Sequence, residues 1–428
     1  MKIRIIPKEY GEVMDLPRPA HRKPLRPSLF FRTLLKLVSL PAIRKSRFSV
    51  ERVGMERLGK REPALYLMNH SSFIDMEIVS TVLYPRPFNI ITTTDGFIGK
   101  DWLLRHLGCI PTRKFVADVG LVRDMRYTLD KLKSSLVLFP EAGYSFDGTA
   151  TVLPSHLGRC VKSLGVPVVM IRTFGAFHRD PLYNNLQVRD VTVSAREEYL
   201  FSPEDLQTLT AEELQARIEE QFAFDSFAWQ KEQGVEICEP FRADYLNRLL
   251  YKCPHCLTEG QTEGRGTTLR CKHCGAAWEL TPLGELEAHE GETLFSHIPD
   301  WVRWERDKVR EELVAGTYGV DLPVSVYMTV DTGHLFSVGE GRLRHGLDGF
   351  ELFGCNEKLH YCQKPLASYT LNSDFNWYEI GDMVSIGDHK ALYYCFPRVE
   401  GDVVAKLRLA TEELYKLEKS RDAAKGNA

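Results

Sequence analysis

Between residues 63 and 200, short apolar runs alternate with segments of helical pattern. No other feature of the chain constrains the fold as much. The runs at 64–68, 88–93, 135–139, 166–171 and 188–194 have the length and composition of buried strands. The segments around 72–83, 100–107, 118–134 and 155–164 carry helical spacing. Strands that alternate with helices are covered on both faces. The expected class is therefore α/β, with αβα layers around a mostly parallel sheet. The run 188–194, with Val188, Val191 and Val193, alternates less regularly and is expected at a sheet edge. Two helix starts follow, at Ser202 and at Thr210, the second with Glu213 three residues on as a capping box.

A chain of 428 residues is too long for one core. The sequence divides into a basic N-terminal segment (1–62), the alternating α/β region (63–250), a cysteine-bearing unit (251–280) and a β-rich region (281–428). The net charge of −3 hides an asymmetry. Residues 1–48 carry twelve Lys and Arg against Glu9, Glu12 and Asp15, so the rest of the chain is acidic. That balance excludes nucleic-acid binding over the whole surface and points to one local contact with an anionic partner. Residues 28–43 have a helical pattern with Phe30, Phe31, Leu34, Leu37 and Val38, bordered by Arg44, Lys45 and Arg47. Such a helix either lies in a membrane interface or packs on its own domain. No apolar run is long enough to span a bilayer, and Met1-Lys2-Ile3-Arg4 lacks a signal-peptide core. The expected location is cytoplasmic, peripheral on the inner face of the cell membrane.

Cys253-Pro254-His255-Cys256 and Cys271-Lys272-His273-Cys274 are two Cys-x2-Cys knuckles. Four thiolates fill a tetrahedral Zn²⁺ site and leave no open position, so a structural metal is expected on Cys253, Cys256, Cys271 and Cys274, in a unit that resembles a zinc ribbon. His255 and His273 are spectators in this reading. Beyond it, Asp300 can cap a helix containing Trp301 and Trp304, about eight short strands follow, and a final helix runs over about 403–419. Short strands closed by one helix indicate a small β-barrel, similar in architecture to a pleckstrin-homology-like domain.

The chemistry sits at the end of the run 64–68, in Asn69-His70-Ser71-Ser72-Phe73-Ile74-Asp75. Positions five apart on one helix do not face each other. His70 must therefore precede the helix, with Ser71 or Ser72 as its cap, and Asp75 reaches back from the first turn. That is a base with its orienting carboxylate, and the nucleophile would be a substrate hydroxyl. Gly108-Cys109-Ile110-Pro111-Thr112-Arg113 ends a strand in a cation. Phe139-Pro140-Glu141-Ala142-Gly143 ends another in a carboxylate, and Val166-Pro167-Val168 starts a further one.

Taken in order, these four blocks resemble the glycerolipid acyltransferase family, which includes lysophosphatidic acid and glycerol-3-phosphate acyltransferases. The resemblance covers roughly residues 50–220. It implies His70 as general base and Asp75 as its partner, with Asn69, Arg113, Glu141 and Gly143 at the acceptor. It implies an acyl-CoA or acyl carrier protein donor, a lysophospholipid or glycerol phosphate acceptor, a role in phospholipid biosynthesis and no catalytic cofactor. With ribbon and β region added, the arrangement looks like one found in bacteria. No nucleic-acid partner is expected. The alternative is an inactive acyltransferase-like scaffold that binds membrane or nucleic acid through ribbon and β region. One departure bears on the substrate. Tyr144 stands where the family has an arginine associated with acceptor phosphate. Either Arg113, Lys114, Arg123 or Arg172 compensates, or the acceptor is not a simple phosphomonoester.

Overall fold

The computed structural model describes residues 3–116 and 118–426. Seven strands form the first sheet, in the order Ser49–Val53, Ser194–Phe201, Val168–Phe174, Leu65–Met68, Ser135–Leu138, Phe88–Thr93 and Cys109–Thr112. The five strands from Val168–Phe174 onward run parallel. Leu65–Met68 is buried at every position, because helices cover both faces. Tyr66, Met68, Val137 and Ile171 pack with Ile78 and Val79 of helix Asp75–Leu83 on one face. Leu65, Leu67, Leu136 and Met170 pack with helices Val119–Asp130, Leu157–Leu164 and Ala211–Phe222 on the other. The last two helices touch closely: a Cβ on Gly158 would lie 2.2 Å from the Ala211 carbonyl oxygen, so only glycine fits. The expected capping box is present, with Thr210 Oγ1 accepting from the Glu213 amide at 3.1 Å and Glu213 accepting from the Thr210 amide at 2.8 Å.

The edge differs from the sequence expectation. Residues 188–193 form no strand. Strand Ser194–Phe201 instead lies second from the edge, antiparallel to Val168–Phe174. Its alternation is masked because an inward position is Glu197, whose carboxylate accepts from Arg52 at 2.9 Å. The edge itself is Ser49–Val53, inside the segment assigned to the N-terminal arm. That arm is also tied at its start, where Ile5–Pro7 pairs with Leu335–Gly346 of the C-terminal sheet. Helix Leu29–Lys45 packs on helix Asp75–Leu83, with Ile43 buried and the Ser80 hydroxyl donating to Ser39 at 2.8 Å. Its opposite face stays open: Phe30 is 69 % exposed and Val38 68 %. The helix therefore packs on its own domain along one side and leaves an apolar face exposed along the other.

The cysteine unit is a four-stranded antiparallel sheet whose last strand, Leu286–Ala288, extends past residue 280. It is not a free-standing appendage. Leu269, Trp278 and Leu286 share a core with Trp301 and Val302 of helix Ile298–Ala315 and with the C-terminal strands. That helix starts two residues before Asp300, with His297 rather than Asp300 at its cap. The C-terminal region is β-rich as expected. Seven antiparallel strands run in the order Leu359–Gln363, Gly349–Gly354, Leu335–Gly346, Val320–Thr329, Leu392–Pro397, Gly381–Gly387 and Asn372–Trp377. Helix Val404–Gly426 buries Leu407, Ala410 and Leu414 against them. Arg306 pairs with Glu412 at 2.7 Å and locks this helix to Ile298–Ala315.

Candidate active site

Strand Leu65–Met68 delivers Asn69 and His70 to the carboxyl edge of the parallel sheet, where open α/β folds place their sites. The Asn69 side-chain oxygen accepts from the Thr173 amide at 2.8 Å, pinning two strand ends together. His70 Nδ1 lies 2.8 Å from Asp75 Oδ2, as the spacing required. The capping differs from expectation. The helix begins at Asp75 itself, and neither serine hydroxyl caps it. Asp75 Oδ2 instead accepts from the amides of Ser71 at 2.8 Å and Ser72 at 3.2 Å. A carboxylate makes the stronger acceptor, and it turns the tight 71–74 loop into a cradle for its own side chain.

Burial disfavours charge on both members of this pair. It pushes the His70 imidazole down, with Lys114 acting in the same direction, and pushes the Asp75 carboxyl up against its two amide donors. A neutral imidazole with its proton on Nδ1 facing Asp75 leaves Nε2 as a lone-pair base. Among the described residues Nε2 has no hydrogen-bond partner. The imidazole is sandwiched between Phe139, at a ring-centroid distance of 4.3 Å, and Tyr144, at 4.0 Å. It keeps 21 % of its surface exposed, which leaves an approach for a hydroxyl.

Glu141 is turned inward. Its Oε2 accepts from the His70 amide at 2.7 Å and its Oε1 from the Thr151 amide at 3.1 Å. Burial pushes its carboxyl up to about 7. Both oxygens are occupied by backbone amides, so Glu141 ties the His70 loop to residue 151. Arg113 also points elsewhere: its guanidinium donates to the His389 carbonyl of the C-terminal region at 2.6 Å. Arg172 donates to Gln221. Lys114 is the cation whose charge acts on His70.

The amides of Ser71 and Ser72 are taken by Asp75. The Ser145 amide donates to the His70 carbonyl at 2.7 Å. Those of Gly143 and Tyr144 have no partner among the described residues. Sequence reasoning missed one contribution completely. Asp374, from the C-terminal sheet, is pushed up to about 7 by burial, opposed by Lys114, and its charge acts on Tyr144 together with those of Asp75, Asp180 and Glu77. No local signal marks a residue so distant in the chain.

A family model described as Acyltransferase matches residues 49–173. Those residues form an acyltransferase-family domain. The matched span starts at the edge strand Ser49–Val53 and ends at Thr173, so it encloses His70, Asp75 and Glu141. Outside it lie the antiparallel strand Ser194–Phe201 of the acyltransferase sheet, the cysteine unit and the C-terminal region. Among solved structures the chain is similar to the 1-acyl-sn-glycerophosphate (LPA) acyltransferase PlsC from Thermotoga maritima, at 20 % identity and a TM-score of 0.36, over 45 % of this chain and 76 % of that one. No curated protein matches the chain.

Proposed function

We propose that this protein is an O-acyltransferase that moves a fatty acyl group from an acyl thioester to a hydroxyl of a glycerolipid acceptor at a membrane surface. The observation that carries this reading is the His70–Asp75 pair, at 2.8 Å in an acyltransferase-family domain with Nε2 unpartnered. His70 Nε2 takes the acceptor's hydroxyl proton as its oxygen attacks the thioester carbonyl. The tetrahedral oxyanion is met by the Gly143 and Tyr144 amides. The C–S bond then breaks, and the imidazolium returns its proton to the departing thiolate. The assay is release of free thiol from acyl-CoA or an acyl carrier protein, dependent on a lysolipid or glycerol phosphate acceptor. Thiol release that ignores the acceptor, or none with any acceptor, overturns the proposal.

Acceptor anchoring falls to Lys114 rather than Arg113 in this reading. Lys114→Ala is expected to raise the KM for an anionic acceptor about tenfold with little change in kcat, as loss of uniform binding does. Arg113→Ala should change KM far less.

The membrane contact rests on helix Leu29–Lys45. Leu29, Phe30, Leu37 and Val38 are exposed on it, and Trp102, 63 % exposed, extends the same patch through its edge contact with Phe31 at 5.9 Å. Among the described residues no helix is long and apolar enough to cross a membrane. Interfacial burial of two large side chains is worth about 1.5–3 kcal/mol each. Phe30→Ser with Leu37→Ser should therefore weaken vesicle binding at least tenfold in a sedimentation assay. Unchanged binding would move the contact to the C-terminal sheet.

The four cysteines fit a metal. Cys253 Sγ lies 3.7 Å from Cys274 Sγ, and Cys256 Sγ lies 3.7 Å from Cys271 Sγ. A tetrahedron with Zn–S bonds of about 2.3 Å has edges of about 3.8 Å. We assign a structural Zn²⁺ to this set, which would hold the ribbon's two knuckles together.

A further inference from the structure

An open cleft of about 870 Å³ lies at the amino edge of the acyltransferase sheet, away from His70. Its floor is apolar and aromatic, formed by Met55, Tyr66, Val82, Leu83 and Tyr84. Six cations and two carboxylates line it. Two of the cations are committed: Arg52 pairs with Glu197, and Arg86 donates to the carbonyls of Glu62 and Gly59. The other four, Arg26, Lys60, Arg61 and Lys133, are exposed, and among the described residues none has an ion pair or hydrogen bond. Unpaired cations around a concave apolar floor form a site for an anion that carries an apolar body.

The place of the cleft says which anion. Its rim continues into the first turns of helix Leu29–Lys45: Arg32 donates to the Pro85 carbonyl, Thr33 Oγ1 lies 3.3 Å from the Tyr84 hydroxyl, and Lys36 sits over the Tyr84 ring at 5.5 Å. The exposed apolar face of that helix therefore borders the opening. The thioester donor of the reaction is a poor occupant. The cleft meets the sheet at Tyr66 and Ser135, near the amino ends of their strands, whereas His70 lies past the carboxyl end. A four-residue strand at about 3.3 Å per residue puts roughly 13 Å of packed sheet between them.

We propose that this cleft binds the headgroup of an anionic membrane phospholipid, with the four free cations on the phosphate and the apolar floor beneath the glycerol and first methylenes. The proposal rests on the membrane reading of helix Leu29–Lys45 and goes beyond it, since it gives the docked protein a built preference for anionic lipid.

The test is sedimentation of the full chain with vesicles of phosphatidylcholine alone or with phosphatidylglycerol added. Lys60→Glu/Arg61→Glu/Lys133→Glu is compared with Arg265→Glu/Arg270→Glu/Lys272→Glu, which makes the same charge change on exposed positions of the ribbon. The expected result is binding to phosphatidylglycerol vesicles at least tenfold weaker in the cleft variant, and much less so in the ribbon variant. Thermal melts matching the native chain show that both variants fold. Equal loss in the two variants means a diffuse field and overturns the site. So does native binding that ignores phosphatidylglycerol while still requiring Phe30 and Leu37, a result that spares the membrane reading. Native protein that binds neither vesicle overturns both. Displacement from vesicles by inorganic phosphate at constant ionic strength would make the occupant a soluble phosphate and overturn the lipid assignment.

Discussion

His70→Ala should lower kcat by at least a hundredfold while leaving the fold in place. General-base help of this kind contributes about 10²–10⁴-fold, and the base is the part removed. The Asp75 carboxylate keeps two of its three donors, the amides of Ser71 and Ser72, so the loop retains its cradle. Glu141 keeps its bond to the backbone amide of residue 70, which Ala also possesses. Near-native circular dichroism with lost thiol release is the expected pair of readings. More than a tenth of the native rate remaining would mean that another group is the base. Asp75→Asn should cost activity as well, because an amide can hold the wrong tautomer. It should also cost stability, since the loop amides lose a charged acceptor that is almost wholly buried. The pH profile carries the sign of the burial. A base must be neutral to act, and burial pushes His70 below its ordinary 6.5. The acid limb of kcat/KM should therefore lie below pH 6.5. A limb above that value would show that the Asp75 charge, not desolvation, governs the imidazole.

The chemistry of this pair was legible in the sequence because it is local. An apolar strand, a turn and a five-residue spacing are enough to place imidazole against carboxylate, and the strands at 64–68, 88–93 and 135–139 were legible for the same reason. What surrounds the pair was not. Glu141 presents as a strand-end carboxylate, and only the fold shows that both its oxygens close on amides, one of them ten residues further along. Arg113 presents as an acceptor ligand until the C-terminal sheet arrives with the His389 carbonyl. Asp374 belongs to a strand just over three hundred residues beyond His70, so its effect on Tyr144 is a property of packing between the two sheets. Tyr144 stands out in the sequence as a departure, but a residue type does not say that its ring will lie 4.0 Å from the base, tilted against it. The edge strand Ser49–Val53 was hidden for a related reason. With only Val50 and Val53 apolar and Glu51 beside Arg52 it lacks the alternation of a strand, and among the described residues it pairs only with Ser194–Phe201.

Loss of the metal should have the largest effect on stability, and the effect should spread in a defined direction. The purified chain is expected to hold one Zn²⁺, and Cys253→Ser/Cys271→Ser should abolish it. Both of these residues are buried and each belongs to a different knuckle, so the pair of substitutions breaks both halves of the tetrahedron. Structural zinc sites carry apparent binding free energies of about 10–16 kcal/mol, which is folding free energy for the segment that makes the site. Here that segment is not isolated. Trp278, four residues past Cys274 of the second knuckle in strand Ala277–Leu280, packs against Trp301 at a ring-centroid distance of 4.9 Å, and Trp301 donates to the Lys252 carbonyl at 3.0 Å beside the first. Disorder in the ribbon should therefore reach helix Ile298–Ala315 and the C-terminal sheet, which share its core, before it reaches strands Leu65–Met68 and Val168–Phe174, which lie in two others. Hydrogen exchange after chelation gives the order directly: amides of residues 251–315 should exchange first and those of the acyltransferase sheet last. The group Glu351, His360 and Cys362 also offers metal-type ligands, so the stoichiometry matters. One zinc that survives Cys362→Ser and is lost in the double serine variant places it on the four cysteines. A native chain without metal, or simultaneous exchange in ribbon and acyltransferase sheet, would sink the assignment.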